Sequence, residues 1–222
     1  MDILVSPQIE RLIRDALDED IGAGDLATMA TISAGSRGTG LFRAKKAGVV
    51  AGLVLLDRIF YFIDPKVEVR LLAKDGAAVS PGMVVAEAVG PVRALLLAER
   101  TALNFLQLLS AVSTKTALYA DAVRGTRARI VDTRETLPGL RLAQKYAVRI
   151  GGGENQRLAL YDGILIKENH IAAAGSISAA MQAALALDTS ASVQIEVESL
   201  AELEEALAAG AKSVLIDNFT VP

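Results

Sequence analysis

The sequence predicts an α/β protein with two parts, an N-terminal α+β domain followed by an incomplete parallel α/β barrel. Two observations support this fold class. Between residues 38 and 87, short apolar runs such as VVAGLVLL and VEVRLLA are separated by the turn sequences KDG and SPG, which is typical of a small β-rich region. From residue 128 onwards, apolar runs of strand length alternate with longer helix-like stretches, and this alternation indicates a parallel sheet covered by helices.

Helices are predicted on both sides of the β-rich region. Ile9, Leu12, Ile13, Ala16 and Leu17 recur at helical spacing, and the helix should end near Gly22. The stretch LLLAERTALNFLQLLSAVSTKTALYADAV, residues 95–123, contains no Gly or Pro and predicts one long connecting helix. We therefore place an N-terminal α+β domain with its connector helix at residues 1–110, and a partial barrel at residues 111–222.

The barrel region contains four clear strand candidates, ARIVDTR, YDGILIKE, VQIEVES and SVLIDNF, with YAVRIGGG as a less certain fifth. The stretches ISAAMQAALAL and LAELEEALAAG are the matching helix candidates. Only about five strands are expected before Pro222, whereas a closed barrel has about eight. We expect that a C-terminal portion is missing or that a partner subunit covers the open strand edge.

Polar residues follow or end the strand candidates. Asp132 and Arg134 end the first strand, Lys167 ends the second, and Glu196 and Asp217 end the last two. The carboxyl ends of parallel strands are where barrels build active sites. Acids placed there can hold Mg2+, bond to sugar hydroxyls, or stabilise positive charge on a ribosyl carbon, and pairing with Lys167 is an equally open interpretation.

Several cations are candidates for binding anions, since guanidinium groups bind carboxylates and phosphates bidentately. They are Arg100, Arg134, Arg141, Arg149, Arg157 and Lys167. For any one of them, ordinary surface solvation is the commoner role. The motif GGGENQR exposes backbone N–H groups that could approach a phosphate, but an ordinary loop explains it equally well. His170, the single histidine, is more often a loop or capping residue than a catalyst.

Composition excludes several classes of function. The net charge of −3 argues against a nucleic-acid partner. With no cysteine and one histidine, neither a thiolate nucleophile nor an all-His zinc site is available. The acidic, amphipathic N-terminus does not resemble a signal peptide, and no apolar stretch looks long enough to span a membrane. We expect a cytoplasmic protein without a membrane partner.

Five segments, ERTALNFLQLLSAVST, DTRETLPGLRLAQKYAVRIGGGENQR, LYDGILIKENHI, IEVESLAELEEAL and VLIDNF, together strongly resemble the quinolinate phosphoribosyltransferases. These are the carboxylating nicotinate-nucleotide pyrophosphorylases of NAD biosynthesis. The resemblance runs from residue 24 to the end and implies a chain that is C-terminally truncated relative to the family. It also implies Mg2+ as cofactor, and either a homodimer with shared active sites or a higher oligomer. The substrates would be quinolinate and phosphoribosyl pyrophosphate, and the products nicotinate mononucleotide, pyrophosphate and CO2.

The resemblance also assigns roles to individual cations. Arg100 matches an arginine that reaches a substrate carboxylate across the dimer interface. Arg134, Arg157 and Lys167 match residues that clamp the pyridine dicarboxylate. A cationic site on an otherwise acidic protein suits substrates with several negative charges.

The family acids near the ribose and metal correspond to Glu196 and Asp217, which with Lys167 are the candidate catalytic residues. Two positions depart from the family motifs: Glu135 stands where DTRKT has lysine, and Gln156 stands where GGGxNHR has histidine. Both remain candidate substrate-binding residues. One alternative is an impaired or substrate-shifted paralogue that acts as a ligand-binding or regulatory protein, and another is a structural or carrier module.

Overall fold

The computed structural model describes residues 6–220, and the chain divides into two compact units, Met1–Gln156 and Arg157–Pro222. The start of the N-terminal stretch considered for a signal peptide and the chain end at Pro222 both lie outside the described residues. The predicted domain boundary at residue 110 falls inside a continuous helix, and as a functional division it stays a prediction.

The first unit combines helices with two small antiparallel sheets. Its elements in chain order are α1 (Pro7–Ile21), α2 (Leu26–Thr31), β1 (Arg37–Arg43), β2 (Gly48–Val49), a 3-10 helix (Leu53–Leu55), α3 (Leu56–Ile63), β3 (Glu68–Leu71), β4 (Ala78–Val79), β5 (Val84–Pro91), α4 (Val92–Ala122) and α5 (Arg141–Ile150). The larger sheet has the order β1-β5-β3, and β2 pairs with β4. The α+β character predicted for this region is confirmed.

The predicted first helix is confirmed as α1. Ile9, Ile13 and Leu17 form its buried stripe, which is the spacing expected for a helix with one face in a core. Pro7 occupies the first turn, where its missing N–H is not needed. Gly22 caps the helix with φ of 49°, a conformation that favours glycine.

The run VVAGLVLL does not form the expected strand beyond Val49. Gly52 has φ of 97° and turns the chain into the 3-10 helix and α3. Leu56, Ile59 and Phe60 are buried on α3, so the apolar residues in this region follow helical spacing rather than alternation. The prediction of a strand here was wrong for the residues after Val49.

The predicted connector helix is confirmed as α4, which contributes Ala98, Ala102 and Leu109 to the core that also contains residues of α1 and α3. Among the described residues, α4 is the one helix with the length and apolar character of a membrane span. The sequence expectation that no stretch was long enough was therefore wrong on length. One face of α4 is buried in the first unit's core, as in an amphipathic core helix.

Two strand predictions before residue 156 need correction. YAVRIGGG forms the end of α5 and the following turn, because Ala143 and Ala147 lie one helical turn apart and are both buried against the core. ARIVDTR forms only an isolated parallel bridge between Val131 and Glu154. The described residues therefore contain fewer parallel strands than the five expected from the sequence.

The second unit is a parallel sheet covered by helices. Its elements are β6 (Gly163–Ile166), α6 (Glu168–Ala174), α7 (Ile177–Ala186), β7 (Ser192–Val197), α8 (Leu200–Ala208) and β8 (Val214–Ile216). The strand order is β6-β7-β8, and Ile166 lies opposite Ile195. Ile166, Ile195 and Val197 are buried with residues of α7 and α8. The alternating side chains therefore point to the other face of the sheet, and the predicted barrel-type α/β pattern is confirmed here.

Candidate active site

The polar face of the second unit's sheet brings two predicted site residues together. Lys167 directly follows β6, and Glu196 lies in β7. Since Ile166 pairs with Ile195, Lys167 and Glu196 occupy the next row, on the face opposite the helices. Lys167 Nζ lies 3.2 Å from Glu196 Oε2, so these two strands present an ion pair near their carboxyl ends.

This ion pair is asymmetric in its exposure. The side chain of Glu196 is 9% exposed, whereas that of Lys167 is 43% exposed. The buried carboxylate thus holds the ammonium group at the open side of the site, where it can still meet an anion. Pairing and anion binding are therefore compatible roles for Lys167, although the sequence posed them as alternatives.

Asp217 extends the same face onto the third strand. Its backbone N–H donates to Val197 O at 3.0 Å, which continues the ladder just past β8. Glu196 pairs with Leu215, so Asp217 lies two residues further along, a rise of about 6–7 Å. The Asp217 carboxylate accepts a hydrogen bond from Asn218 Nδ2 at 3.1 Å. Glu196 and Asp217 therefore line one surface without contacting each other through a described bond.

The fit of this surface to Mg2+ depends on how the ion is bound. Within residues 6–220, no group of three or more His, Cys, Asp or Glu side chains is arranged to hold a metal ion. Mg2+ commonly uses one or two carboxylates together with substrate phosphates and water. Glu196 and Asp217 suit that substrate-assisted mode and not an all-protein cage.

His170 supports the position of Lys167. The Lys167 backbone N–H donates to His170 Nδ1 at 3.0 Å, and His170 is the third residue of α6. This bond satisfies a backbone donor at the helix start, as in the second half of a capping box. The interpretation of His170 as a capping residue is confirmed.

A second polar cluster lies in the first unit and was not identified as a site from the sequence. The Asp132 carboxylate pairs with Lys145 Nζ, and both side chains are almost completely buried. Asn155 Nδ2 donates to Asp132 Oδ2 at 2.6 Å, and the Gln156 backbone N–H donates to Asp132 Oδ1 at 2.8 Å. We call Asp132, Lys145 and Asn155 the Asp132 cluster. No clear signal for it was present in the sequence, because a lysine in a helix is normally exposed.

The segment after Asp132 carries two predicted site residues, Arg134 and Glu135, and Arg141 holds it in place. Arg141 donates from Nε to Thr136 Oγ1 at 3.1 Å and from Nη2 to the Arg134 carbonyl oxygen at 3.3 Å, so it ties this loop to α5. The Glu135 backbone N–H donates to Thr133 Oγ1 at 3.2 Å, and the residue is exposed. Arg134 is half-buried, and its buried Nε has no hydrogen-bond partner among the described residues. A buried donor of this kind suits an anionic ligand.

The glycines of GGGENQR serve packing and not phosphate binding. The N–H groups of Gly151, Gly152 and Gly153 already donate to carbonyl oxygens of α5. A Cβ at Gly151 would collide with α4, and one at Gly153 would lie 2.9 Å from Thr116 Cγ2. Of the two interpretations left open by the sequence, the structure supports an ordinary, tightly packed turn.

Arg100 is exposed on α4 and lines a groove of about 890 Å³ on the first unit. The same groove is lined by Arg43, Lys45, Lys46 and Lys115, with Glu99 as its acid. Arg100 is thus presented at a strongly cationic surface of the first unit.

The remaining two arginines have different surroundings. Arg157 donates from Nη1 to the Gly163 carbonyl oxygen at 3.1 Å, next to the start of β6. Arg149, in the last turn of α5, is exposed. Of the predicted site residues, the structure brings Lys167 and Glu196 into direct contact, with Asp217 on the adjacent strand.

Comparisons with known proteins identify the family. The family profile described as "Quinolinate phosphoribosyl transferase, N-terminal domain" matches residues 25–110, and that of the C-terminal domain matches residues 112–222. The chain is 45% identical to the carboxylating nicotinate-nucleotide pyrophosphorylase of Mycobacterium leprae, over 94% of this chain and 75% of that protein. It is 42% identical to the probable enzyme of the same name from Bacillus subtilis, over 95% of this chain and 73% of the relative.

Solved structures agree with this assignment. The crystal structure of NadC from Streptococcus pyogenes aligns with a TM-score of 0.92 at 43% identity, covering 98% of this chain and 78% of that one. A nicotinate-nucleotide pyrophosphorylase from Francisella tularensis aligns with a TM-score of 0.92 at 38% identity, covering 99% and 79%. The chain spans about three quarters of the length of these relatives. It belongs to the quinolinate phosphoribosyltransferase family.

Proposed function

We propose that the protein transfers a phosphoribosyl group from phosphoribosyl pyrophosphate to quinolinate, with decarboxylation. The products are nicotinate mononucleotide, pyrophosphate and CO2. The observation that carries this proposal is the pairing of Lys167 with buried Glu196 at the ends of parallel strands, in a chain that matches carboxylating pyrophosphorylases over 94% of its length.

The cations fit a dicarboxylate substrate. Lys167 has its ammonium group partly exposed beside Glu196, and Arg134 has a buried donor without a described partner. Within the second unit, Lys167 and Arg157 would each bind a carboxylate, and Arg134 of the first unit is a further candidate for an anionic group. Such fixed positioning can lower a bimolecular barrier substantially.

The acids fit the charge that develops during transfer. As the ring nitrogen bonds to the anomeric carbon, the bond from that carbon to pyrophosphate breaks and positive charge builds on the ribose. Glu196 and Asp217 share the polar face of the sheet and can stabilise that charge. The carboxylate next to the ring nitrogen then leaves as CO2, and a proton takes its place on the ring carbon.

Mg2+ is the proposed cofactor, held by Glu196 or Asp217 directly or through water. It would neutralise charge on the departing pyrophosphate. Glu196 already balances Lys167, so Asp217 is the acid better placed to contribute to the ion.

We propose a homodimer in which Arg100 of one copy completes the site of the other. Arg100 is exposed in the cationic groove of the first unit, and such a groove suits a partner's anionic substrates. Coexpression of Arg100→Ala and Lys167→Ala chains tests this arrangement. Mixed dimers should regain up to about one wild-type site each, whereas a site built from one chain would show no recovery.

Release of pyrophosphate by purified protein, supplied with both substrates and Mg2+, tests the proposed reaction. Lys167→Ala should abolish turnover without unfolding the protein, and removal of Mg2+ with a chelator should stop the wild-type reaction. No turnover by correctly folded wild-type protein at high concentration would contradict the proposal. The alternative of a binding or regulatory paralogue is not favoured, because the relatives are named as enzymes.

The cytoplasm remains the proposed compartment. Relatives from Arabidopsis thaliana and Nicotiana tabacum carry the descriptions chloroplastic and mitochondrial, so the compartment differs within the family. Fractionation of the native host tests it.

A further inference from the structure

We propose that the Asp132 cluster is a positioning device for substrate binding. It fixes the loop carrying Arg134 and Glu135 against the loop carrying Gln156, without itself contacting substrate. The proposal deepens the proposed function and rests on it for its catalytic consequence. Its structural part concerns the two loops alone.

Asp132 is the centre of the cluster because its carboxylate receives donors from three sources. Lys145 Nζ and the Gln156 N–H both contact Oδ1, and Asn155 Nδ2 donates to Oδ2 at 2.6 Å. Hydrogen bonds to an ionised acceptor are shorter and stronger than neutral ones. The carboxylate thus connects α5 with the glycine-rich turn.

Lys145 is directed into the protein and not towards a ligand. Its side chain is 5% exposed, and Nζ also donates to the Gln156 carbonyl oxygen at 3.1 Å. With two described acceptors it cannot replace the lysine that the family has at the position of Glu135. Its charge instead compensates that of Asp132, since a buried carboxylate without a partner is costly.

Asn155 joins all three segments. Its Nδ2 donates to Asp132 and also to the Lys145 carbonyl oxygen at 2.9 Å. Among the described residues, the backbone links the two loops by an isolated bridge at Val131 and Glu154, with two hydrogen bonds that involve Glu154, and not by a regular strand pair. The register between the loops therefore depends on side-chain bonds more than it would in a longer strand pair.

The cluster affects function because the predicted binding residues Arg134 and Gln156 are close to it in sequence or bonded to it. Arg134 lies two residues after Asp132, and the main chain of Gln156 is bound by both Asp132 and Lys145. Binding residues must be held within about 0.5 Å of their productive positions. A displacement of about 1 Å can reduce a rate about 100-fold.

Asn155→Ala is the decisive variant because it removes two hydrogen bonds and leaves the buried ion pair. Arg129→Ala is the matched control, since it removes an exposed ion pair to Glu154 beside the same loop. For each protein we would measure thermal unfolding, kcat/KM, quinolinate affinity by calorimetry, and hydrogen exchange at the Gln156 amide. Lys145→Met provides a second, harsher test.

We expect Asn155→Ala to stay folded, to bind quinolinate about tenfold more weakly, and to exchange the Gln156 amide about tenfold faster. Arg129→Ala should match wild type within about twofold. Wild-type kcat/KM and affinity in folded Asn155→Ala would overturn the positioning role. If Lys145→Met does not fold, Asn155→Ala alone decides.

The two proposals can fail separately. A wild-type protein that neither binds quinolinate nor turns over would refute the proposed function. The Gln156 amide would still report on the cluster, because faster exchange only in Asn155→Ala supports the coupling of the loops. Equal exchange in wild type, Asn155→Ala and Arg129→Ala would refute it.

Discussion

Substitution of Gly151 by alanine separates packing from phosphate binding in the glycine-rich turn. Gly151 has φ of −77° and ψ of 1°, a conformation open to alanine. A Cβ there would collide with the backbone carbonyl oxygen of Ser113. It would also lie 3.0 Å from Ser113 Cα and 2.7 Å from Thr116 Cβ. Since these atoms belong to α4, no side-chain rotation relieves the contact.

The magnitude follows from two opposing effects. Alanine reduces the freedom of the unfolded chain, which stabilises by about 0.4–1 kcal/mol where the conformation is allowed. Overpacking of a tight contact costs about 1–3 kcal/mol, and a backbone obstacle places this site at the upper end. The net loss should be about 2 kcal/mol, or roughly 4–8 °C in the unfolding midpoint of a chain this size.

Thermal unfolding followed by circular dichroism measures this loss. Gly125→Ala is the control in the same unit, because Gly125 has φ of 83° and nothing within 4 Å of an added Cβ. It tests conformational strain alone, at a cost of about 1 kcal/mol. If Gly151→Ala unfolds at the wild-type temperature and loses affinity for phosphoribosyl pyrophosphate, the packing argument is wrong and phosphate binding is the better explanation.

Three further predictions concern single residues. Glu196→Gln should lower kcat about 100–1000-fold. Its free energy of unfolding should change by about 1 kcal/mol at most, because Lys167 is partly exposed. A kcat within tenfold of wild type would refute the electrostatic role of Glu196. His170→Ala should destabilise the protein by about 0.5–2 kcal/mol and raise the KM for quinolinate. His170→Asn keeps an acceptor for the Lys167 N–H and should restore much of the stability and of the KM. Equal stability and equal KM in the two variants would refute the capping role. The Thr28 hydroxyl bond to Asp25 holds the pKa of that carboxyl below its usual range. This bond therefore contributes stability above the ordinary aspartate pKa that is lost as pH falls through the lowered value, and NMR titration should show a higher midpoint in Thr28→Val.

Elements with a long, regular spacing of apolar residues could be predicted from the sequence, whereas the secondary structure of short apolar runs could not. Helices α1 and α4 have long apolar stripes, and β6, β7 and β8 are compact apolar strands between helices. YAVRIGGG fits both a strand and a helix because its apolar run is short. Burial of Ala143 and Ala147 in the first unit's core decides in favour of the helix, and that contact cannot be read from the local sequence.

Some features of the candidate site could likewise be predicted from the sequence and others could not. The proximity of Lys167 and Glu196 could be predicted because strand ends are recognisable and parallel strands bring their ends to one edge. Lys145 could not, because a lysine in a helix is normally exposed. Its burial depends on Asp132, thirteen positions away in sequence.

At the two departures from the family motifs, the described main-chain bonds do not depend on which side chain is present. Asp132 and Lys145 both bind the main chain of Gln156, so these contacts are available to histidine or glutamine alike. At Glu135, the backbone N–H donates to Thr133 Oγ1, and this bond does not depend on the side chain. Replacing lysine by glutamate changes the local charge by two units without removing these bonds. The added negative charge should therefore weaken binding of an anionic ligand at this loop, through repulsion of at least about 1 kcal/mol at contact distance.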